Sequence, residues 1–392
     1  MAKSSPQNIL ILSTCYIDWG GSEELWARSV PHLRNRGYGV IVYKQHINRL
    51  HPEFTDLANK GAILADRRSA SGVAARLFYK GRKIIRWVYT ELRGLPPGTE
   101  EDWTFIRTLE RFRPALVVVS QGINFDGLRY AYQCLLRNIP YVIVCQKAVD
   151  FYWPNLTDRD YMTRTLIHAK ACFFVSHHNH RLTEEQFGTR LANGRVIFNP
   201  VKLSRHGIPY PPMDEGYRLA CVARLFLLDK GQDILLRILG EEKWKARPVR
   251  VSFIGSGDDL EPLRAMAALL DVKNVDFTGQ VSNMEDIWRT HHALILPSRS
   301  EGLALSVVEA MAAGRPVIVT NAGGNAELVE EGVTGFIGKA DQESLENAME
   351  RAWNNRDLWE SMGKSASGYV AGAVPGEPEL AFADLLNKVV DD

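Results

Sequence analysis

Ser298-Arg-Ser-Glu-Gly-Leu-Ala-Leu-Ser-Val-Val-Glu-Ala-Met-Ala-Ala-Gly-Arg-Pro-Val-Ile-Val-Thr320 reads as the heart of a βαβ unit. The apolar run before it, Ala293-Leu-Ile-Leu-Pro297, has the length and continuity of a buried strand. Leu303 to Ala313 has helical composition and stops at Gly314, and Pro316 to Thr320 is a second buried strand. The polar turn between strand and helix carries Glu301 directly before Gly302, and a second carboxylate, Glu309, follows eight positions later. Free N–H groups at a helix start, together with the helix dipole, make such a turn a seat for an anion. Eight helical steps at about 1.5 Å each would set the two carboxylates about 12 Å apart.

The alternation runs outward in both directions. Strands are expected over Ile9–Leu12, Val40–Tyr43, Ala115–Val119, Tyr141–Cys145 and Ala171–Val175, with helices over Leu25–Arg36, Trp103–Phe112 and Gly127–Arg137. In the second half strands are expected over Leu219–Val222, Val249–Ile254 and Val275–Phe277, with a helix over Gln232–Leu239. Repeated strand and helix is the signature of a parallel sheet, so the fold class is α/β. Asn199-Pro-Val201 and then Pro209, Pro211 and Pro212 form the best linker. The expected division is 1–204, 205–374, and a last helix within 375–392 that can pack back on the first domain.

Bulk properties exclude several classes. The 392 residues carry 47 basic and 46 acidic side chains, a net charge of +1, which argues against a general nucleic-acid binder. The five cysteines, Cys15, Cys134, Cys145, Cys172 and Cys221, form no C-x-x-C pair and read as reduced interior residues of a cytoplasmic protein. No signal peptide is visible, and nothing approaches about 18 consecutive apolar residues. Residues 66–93 concentrate Arg67, Arg68, Arg76, Lys80, Arg82, Lys83, Arg86 and Arg93 among Leu77, Ile84, Ile85 and Val88. This suggests either a basic amphipathic helix touching the inner membrane face or a domain helix with a solvated basic side. His177, His178 and His180 could suggest a metal; without an acidic or cysteine partner they read better as a polar helix start after Ser176.

Candidate binding residues gather at strand ends. Gly20 and Gly21 follow the first strand, where open α/β sheets bind ligands; a tight turn with no ligand is the alternative. Arg224 follows Leu219–Val222, and Lys230 precedes the next helix, so both can reach the crevice that holds Glu301. Arg offers a planar fork for phosphate oxygens and Lys a mobile point charge. Two cations and a helix start would suit a diphosphate, and two carboxylates would suit the hydroxyl-rich ends of a nucleoside diphosphate sugar. Gly255-Ser-Gly257, Gly279 and Gly323-Gly-Asn-Ala-Glu327 are further turns after strands.

The run Ser300-Glu-Gly-Leu-Ala-Leu-Ser-Val-Val-Glu-Ala-Met-Ala-Ala-Gly-Arg-Pro-Val-Ile318 closely resembles the family 4 retaining glycosyltransferases. So do Ala223-Arg-Leu225 with Lys230-Gly-Gln232, Ile254-Gly-Ser-Gly257, Phe277-Thr-Gly-Gln-Val281 and Gly332-Val-Thr-Gly-Phe336. The resemblance implies the GT-B architecture, two Rossmann-like domains with parallel sheets facing across a cleft. It implies that Arg224 and Lys230 stabilise a leaving diphosphate, that Glu301 contacts the transferred sugar, and that Glu309 holds the ribose. It further implies donor contacts from Gly20, Gly21, Gly255, Gly279, Val281 and the backbone of Gly302, Leu303, Ala304 and Leu305. Gln146 departs from the pattern, standing where many relatives carry histidine.

The implied activity moves a hexose, glucose foremost, from a UDP-sugar co-substrate to a hydroxyl of a glycan or lipid-linked acceptor in polysaccharide biosynthesis. Neither metal nor cofactor is implied. A sugar-nucleotide epimerase of the same architecture and a non-catalytic nucleotide-sugar binding protein remain the alternatives.

Overall fold

The computed structural model describes residues 7–66, 102–201, 203, 208–213 and 216–391. Residues 67–93, which carry the basic amphipathic reading, lie outside the described residues. The chain divides into two units, Met1–Asn199 with Glu377–Asp392, and Pro200–Gly376.

In the first unit the strands are β1 (Asn8–Ser13), β2 (Gly39–Lys44), β3 (Ile63–Asp66), β4 (Leu116–Gln121), β5 (Tyr141–Cys145), β6 (Ala171–Phe174) and β7 (Gly194–Val196). They form one parallel sheet in the order β3-β2-β1-β4-β5-β6-β7. Its helices are α1 (Gly21–Asn35), α2 (Pro52–Asn59), α3 (Trp103–Phe112), α4 (Leu128–Leu136), α5 (Leu156–His168) and α6 (His177–Phe187). The strand runs are apolar without a break because both sheet faces are covered. Ile9, Ile11, Val40, Val42, Val118 and Val144 point into one core, while Leu10, Leu12, Ile41, Val117, Val119 and Ile143 point into the other. This is the period-two alternation of a strand.

The second unit repeats the plan with β8 (Tyr217–Val222), β9 (Val249–Ile254), β10 (Val275–Gly279), β11 (Ala293–Leu296), β12 (Val317–Thr320) and β13 (Gly335–Gly338), ordered β10-β9-β8-β11-β12-β13. All its ladders are parallel. Its helices are α7 (Leu227–Lys230), α8 (Gln232–Leu239), α9 (Glu242–Lys245), α10 (Leu260–Leu269), α11 (Met284–Trp288), α12 (Leu305–Ala312), α13 (Gln342–Asn354) and α14 (Trp359–Ala373). Both sheets therefore follow the 3-2-1-4-5-6 winding, and strand order reverses between β1 and β4 and between β8 and β11. Ligands of open α/β sheets bind outside the carboxyl ends at that reversal.

The last helix, α15 (Pro378–Asp391), belongs to the first unit. Phe382 meets the Phe173 ring edge-on at 5.4 Å, Tyr38 Oη donates to Asn387 Oδ1 at 2.8 Å, and Arg36 pairs with Asp384. Pro378 occupies the first helical turn, where a missing N–H costs nothing, so it starts this helix instead of breaking the chain before it. Among the described residues no helix is long and apolar enough to cross a membrane.

The proline-rich run is not a free linker. Arg315, 1% exposed, donates to the carbonyls of Ile208 and Pro209 at 3.2 and 2.7 Å, and to those of Ala313, His291 and Trp288. Burial lowers its pKa to about 10, and carbonyl dipoles take the place of a carboxylate partner. Tyr210 Oη donates to His292 O at 3.2 Å, and His292 Nε2 bonds Pro212 O at 3.1 Å. Ile208–Met213 is thus fixed to the second unit.

Candidate active site

The switch point of the second unit is built from the loops after β8 and β11. The β8 loop, Ala223 to Phe226, enters the single turn α7, and Gly231 ends that turn at φ +62°. A Cβ on Gly231 would lie 2.1 Å from Pro297 O, so only glycine lets the two loops close on each other. Their contact is heavily bonded. Asp229 O accepts from Arg299 N and Ser300 N at 2.8 and 3.1 Å. Arg299 makes a bidentate pair with Asp233 at 2.6 and 2.8 Å and donates to Leu227 O at 2.8 Å. Burial works against the Asp233 carboxylate, but Arg299 and Arg237 more than offset it and hold its pKa below the usual range.

Within this frame Lys230 Nζ lies 2.6 Å from Glu301 Oε1, and Ser298 Oγ donates to the same oxygen at 2.7 Å. The pair is mostly buried, with side-chain exposures of 19% for Lys230 and 7% for Glu301. Among the described residues no hydrogen bond reaches Oε2. Arg224 stands farther out. Its guanidinium lies over the Phe226 ring at 4.8 Å and its nearest carboxylate, Asp229, is 3.5 Å away.

The helix after Glu301 begins later than its composition suggests. α12 starts at Leu305, with Ala304 as an extended N-cap at φ −69°, ψ 121°. Only the last four of the eight steps from Glu301 to Glu309 are helical, a rise of about 6 Å, so the two carboxylates are not spaced by one continuous helix. The delay has a cause: Asn325 Oδ1 accepts from Ala304 N at 3.0 Å, and Gly324 N donates to Gly302 O at 2.7 Å, holding 302–304 outside the helix. Gly323, at φ +56°, packs so closely that a Cβ would lie 2.1 Å from Glu301 O. Glu309 is buried on α12 with Val307, Val308, Ala310 and Met311.

Gly255 and Gly257 do similar work on the other side. A Cβ on Gly255 would meet Ala223 O at 2.1 Å, and one on Gly257 would meet Leu225 O at 2.1 Å. Leu225 N also donates to Ser256 O at 2.9 Å. Gly279 lies one strand farther out; its carbonyl accepts from Gly255 N at 2.9 Å, and nothing lies within 4 Å of an added Cβ. Val281 is two residues past β10 and half-buried. The loops thus bring together Lys230, Glu301, Gly302 and the start of α12, with Gly255 and Gly257 backing the Arg224 loop. Gly279 and Val281 sit at the edge of this assembly.

Gly20 and Gly21 belong to the first unit. Gly20 is the N-cap of α1 and Gly21 its first residue, so the helix begins four residues before the expected Leu25. The loop ahead of them hides an ion pair that sequence reading missed. Lys44, 3% exposed, donates to Ile17 O, Asp18 O and Glu23 Oε1 at 3.0, 3.1 and 3.0 Å, and Ser13 Oγ donates to Glu23 Oε1 at 2.7 Å. Gln146 follows β5 and its Oε1 accepts from Asn199 Nδ2 at 2.8 Å. His177 to His180 open α6, capped by Ser176 Oγ on Asn179 N at 3.1 Å; no metal-holding group of side chains is found among the described residues.

Residues 216–355 match the family described as Glycosyl transferases group 1. Most of the second unit is thus similar to the group 1 glycosyl transferases. A glycosyltransferase of Haemophilus influenzae is 30% identical over 188 residues, 46% of this chain and 51% of that protein. The GDP-mannose-dependent alpha-(1-6)-phosphatidylinositol monomannoside mannosyltransferase of Mycobacterium tuberculosis is 35% identical over 137 residues, 32% of this chain and 35% of that one. The match to these relatives thus spans about half of their length or less. Among solved structures, Anabaena HepE in complex with UDP-glucose superposes with a TM-score of 0.72 at 16% identity, covering 97% of this chain and 99% of that one. That likeness shows the shared GT-B fold.

Proposed function

We propose that the chain is a retaining glycosyltransferase that moves a hexose from a nucleoside diphosphate sugar to a hydroxyl of a glycan or lipid-linked acceptor, without a metal. The observation that carries this is the Lys230–Glu301 pair at 2.6 Å, in the turn that leads from β11 to α12 on the switch point of its sheet. Lys230 has three donors and spends one on Glu301, leaving two for phosphate oxygens. Arg224 adds an exposed fork, and the α12 start adds N–H groups and the positive end of a dipole. Glu301, with Oε1 occupied, keeps Oε2 as an acceptor for a hydroxyl of the transferred sugar. Glu309 serves the ribose, the backbone of Gly302 to Leu305 serves sugar and phosphate, and Gly255, Gly279 and Val281 serve the nucleoside side. Donor binding is assigned to the second unit. Departure of the diphosphate builds negative charge at the two cations, and a phosphate oxygen takes the proton of an acceptor hydroxyl that attacks from the same face.

The donor we assign is a UDP-hexose, UDP-glucose first, the molecule held by the Anabaena protein of the same fold. GDP-mannose is the second reading, favoured by the identity to the mycobacterial mannosyltransferase over a stretch of similar length to the matched family region. A thermal-shift series with UDP, UDP-glucose, UDP-galactose, GDP and GDP-mannose separates them. A ligand at 100 times its Kd adds about 2.7 kcal/mol of stability. One base should raise the melting temperature clearly above the other. No shift with any nucleotide sinks the transferase reading, and a new sugar-nucleotide peak formed without acceptor would turn it into an epimerase.

A further inference from the structure

The loop after β5 leaves Phe151, Tyr152, Trp153 and Leu156 exposed at 67, 49, 58 and 89%. Apolar rings held in water on a loose loop would mean little. Here the loop is anchored from beneath by two buried amides. Gln186, fully buried on α6, donates from Nε2 to Val149 O and Tyr152 O at 2.8 and 2.5 Å. Its Oε1 accepts from Asn124 Nδ2 at 3.1 Å, and Asn124 Oδ1 accepts from Val149 N at 3.2 Å. Trp153 Nε1 donates to Asp150 O at 3.1 Å, and the Phe151 and Tyr152 ring centres lie 5.6 Å apart. The polar network is on the inside and the rings are on the outside, an arrangement that fixes the backbone in order to present the side chains. The loop stands at the carboxyl end of a parallel strand, where such sheets take ligands.

Charge selects the occupant. The carboxylate next to the rings in sequence is Asp150, its side chain 74% exposed and its Oδ1 4.0 Å from His178 Nε2. The Arg159 guanidinium is turned inward to Gln186 O at 2.8 Å. An anionic lipid surface or a phosphorylated ligand would meet Asp150 unfavourably. A neutral sugar ring meets both groups well: its C–H face packs on an aromatic ring, and its hydroxyls donate to a carboxylate.

We propose that the 150–153 loop is a saccharide platform that holds a neutral hexopyranose of the acceptor, stacked on the exposed rings with a hydroxyl bonded to Asp150. The word acceptor rests on the glycosyltransferase reading; the saccharide site does not. The test is saturation-transfer NMR and calorimetry on the full chain with gluco-, galacto- and mannotriose, alongside UDP and GDP. At least one triose should bind, Phe151→Ala and Trp153→Ala should each weaken it tenfold or more, and Asp150→Asn should weaken it about threefold. Nucleotide affinity should be unchanged in all three variants. Gln186→Leu, with the rings intact and their anchor cut, should weaken the same triose. Binding of no triose, or unchanged affinity in Phe151→Ala and Trp153→Ala, overturns the proposal. So does a loss in those variants of binding to phosphatidylglycerol vesicles in place of sugar. Triose binding that disappears in the variants while no nucleotide binds would keep the platform and remove the transferase reading.

Discussion

Replacing Lys230 by methionine removes a charge and keeps most of the stem. At 2.6 Å and an effective dielectric of about 20, the attraction to Glu301 is roughly 6 kcal/mol before desolvation. Desolvating two largely buried groups offsets much of that. Glu301 also keeps its bond from Ser298 Oγ at 2.7 Å, so it is not stripped bare. The loss of stability should be about 2 kcal/mol, below the 3–5 kcal/mol of a pair left wholly uncompensated. The loss of turnover should be larger, about 10²–10³-fold in kcat, because in the proposed function Lys230 also meets charge that develops only as the diphosphate leaves. Ser298→Ala is the control. It removes the other donor to Oε1 at a similar cost in stability, about 1–2 kcal/mol, and should keep kcat within about fivefold. Guanidinium unfolding gives the first quantity, and initial rates at saturating donor give the second. A Lys230→Met protein that stays folded with kcat within threefold of wild type refutes the phosphate role. Equal turnover losses in both variants would mean that Lys230 acts only by holding Glu301.

Three further outcomes follow from the geometry. Gly257→Ala drives a Cβ to 2.1 Å from Leu225 O, which no rotamer relieves, so nucleotide affinity should fall more than tenfold; Gly279→Ala, with open space around it, should cost the fold only about 1 kcal/mol of left-handed strain, read as a small drop in the unfolding midpoint. Asn325→Ala strands the buried Ala304 N–H and should cost about 1–3 kcal/mol, read as a lowered unfolding midpoint, whereas Asn325→Asp keeps the acceptor and should spare stability while weakening diphosphate binding by repulsion. His292 is neutral in the fold, its Nδ1 accepting from Arg218 N at 2.9 Å, and burial lowers its pKa and that of His291. The unfolded chain takes up these protons first as pH falls below about 6.5, so stability is full above that value and declines beneath it, by up to about 1.4 kcal/mol per pH unit for each histidine. Urea midpoints between pH 7 and 5.5 should show a slope that His291→Asn/His292→Asn flattens.

The strands were legible because burial on both faces leaves continuous apolar runs, as in Val249–Ile254 and Tyr141–Cys145. Gly335–Gly338 escaped because two of its four residues are glycine, and β3 because its run is short and only partly buried. Helix starts were read wrongly in both glycine turns, in opposite directions. In α1 the turn Gly21-Ser-Glu-Glu24 is itself helical, with Glu23 and Glu24 in the first turn where the dipole favours them. In α12 a distant residue, Asn325, takes the Ala304 N–H and postpones the helix. Composition carries no record of such a partner. The same reason hid Lys44–Glu23, Arg299–Asp233 and the bonds of Arg315 to Ile208, Pro209, Trp288 and His291, whose members lie 21 to 107 residues apart in sequence. What sequence offers at these positions is a polar residue in an apolar setting, a sign of a buried partner without its identity.

The Lys230–Glu301 pair also bears on how a site of this kind can work without a bound ligand to order it. An isolated cation at the start of α12 would face the helix dipole and be pushed outward. Glu301 reverses that balance. Its carboxylate, in the turn four residues ahead of α12, holds Nζ at 2.6 Å with the remaining protons unspent. The pair as a whole is neutral, so it can stay largely buried without the cost of a lone charge. A diphosphate that enters then meets a lysine already placed, and the ordering of a long side chain has been met during folding. On the proposed assignment the same carboxylate that places the lysine keeps one oxygen for the sugar, which would register phosphate and hexose against each other through a single side chain. On this reasoning Glu301→Gln should raise the donor KM and lower kcat together, whereas Glu309→Gln, assigned to the ribose, should act mainly on KM for the nucleotide. Initial rates across donor concentration for the two variants separate these effects; matching profiles would mean that Glu301 does not couple the two groups.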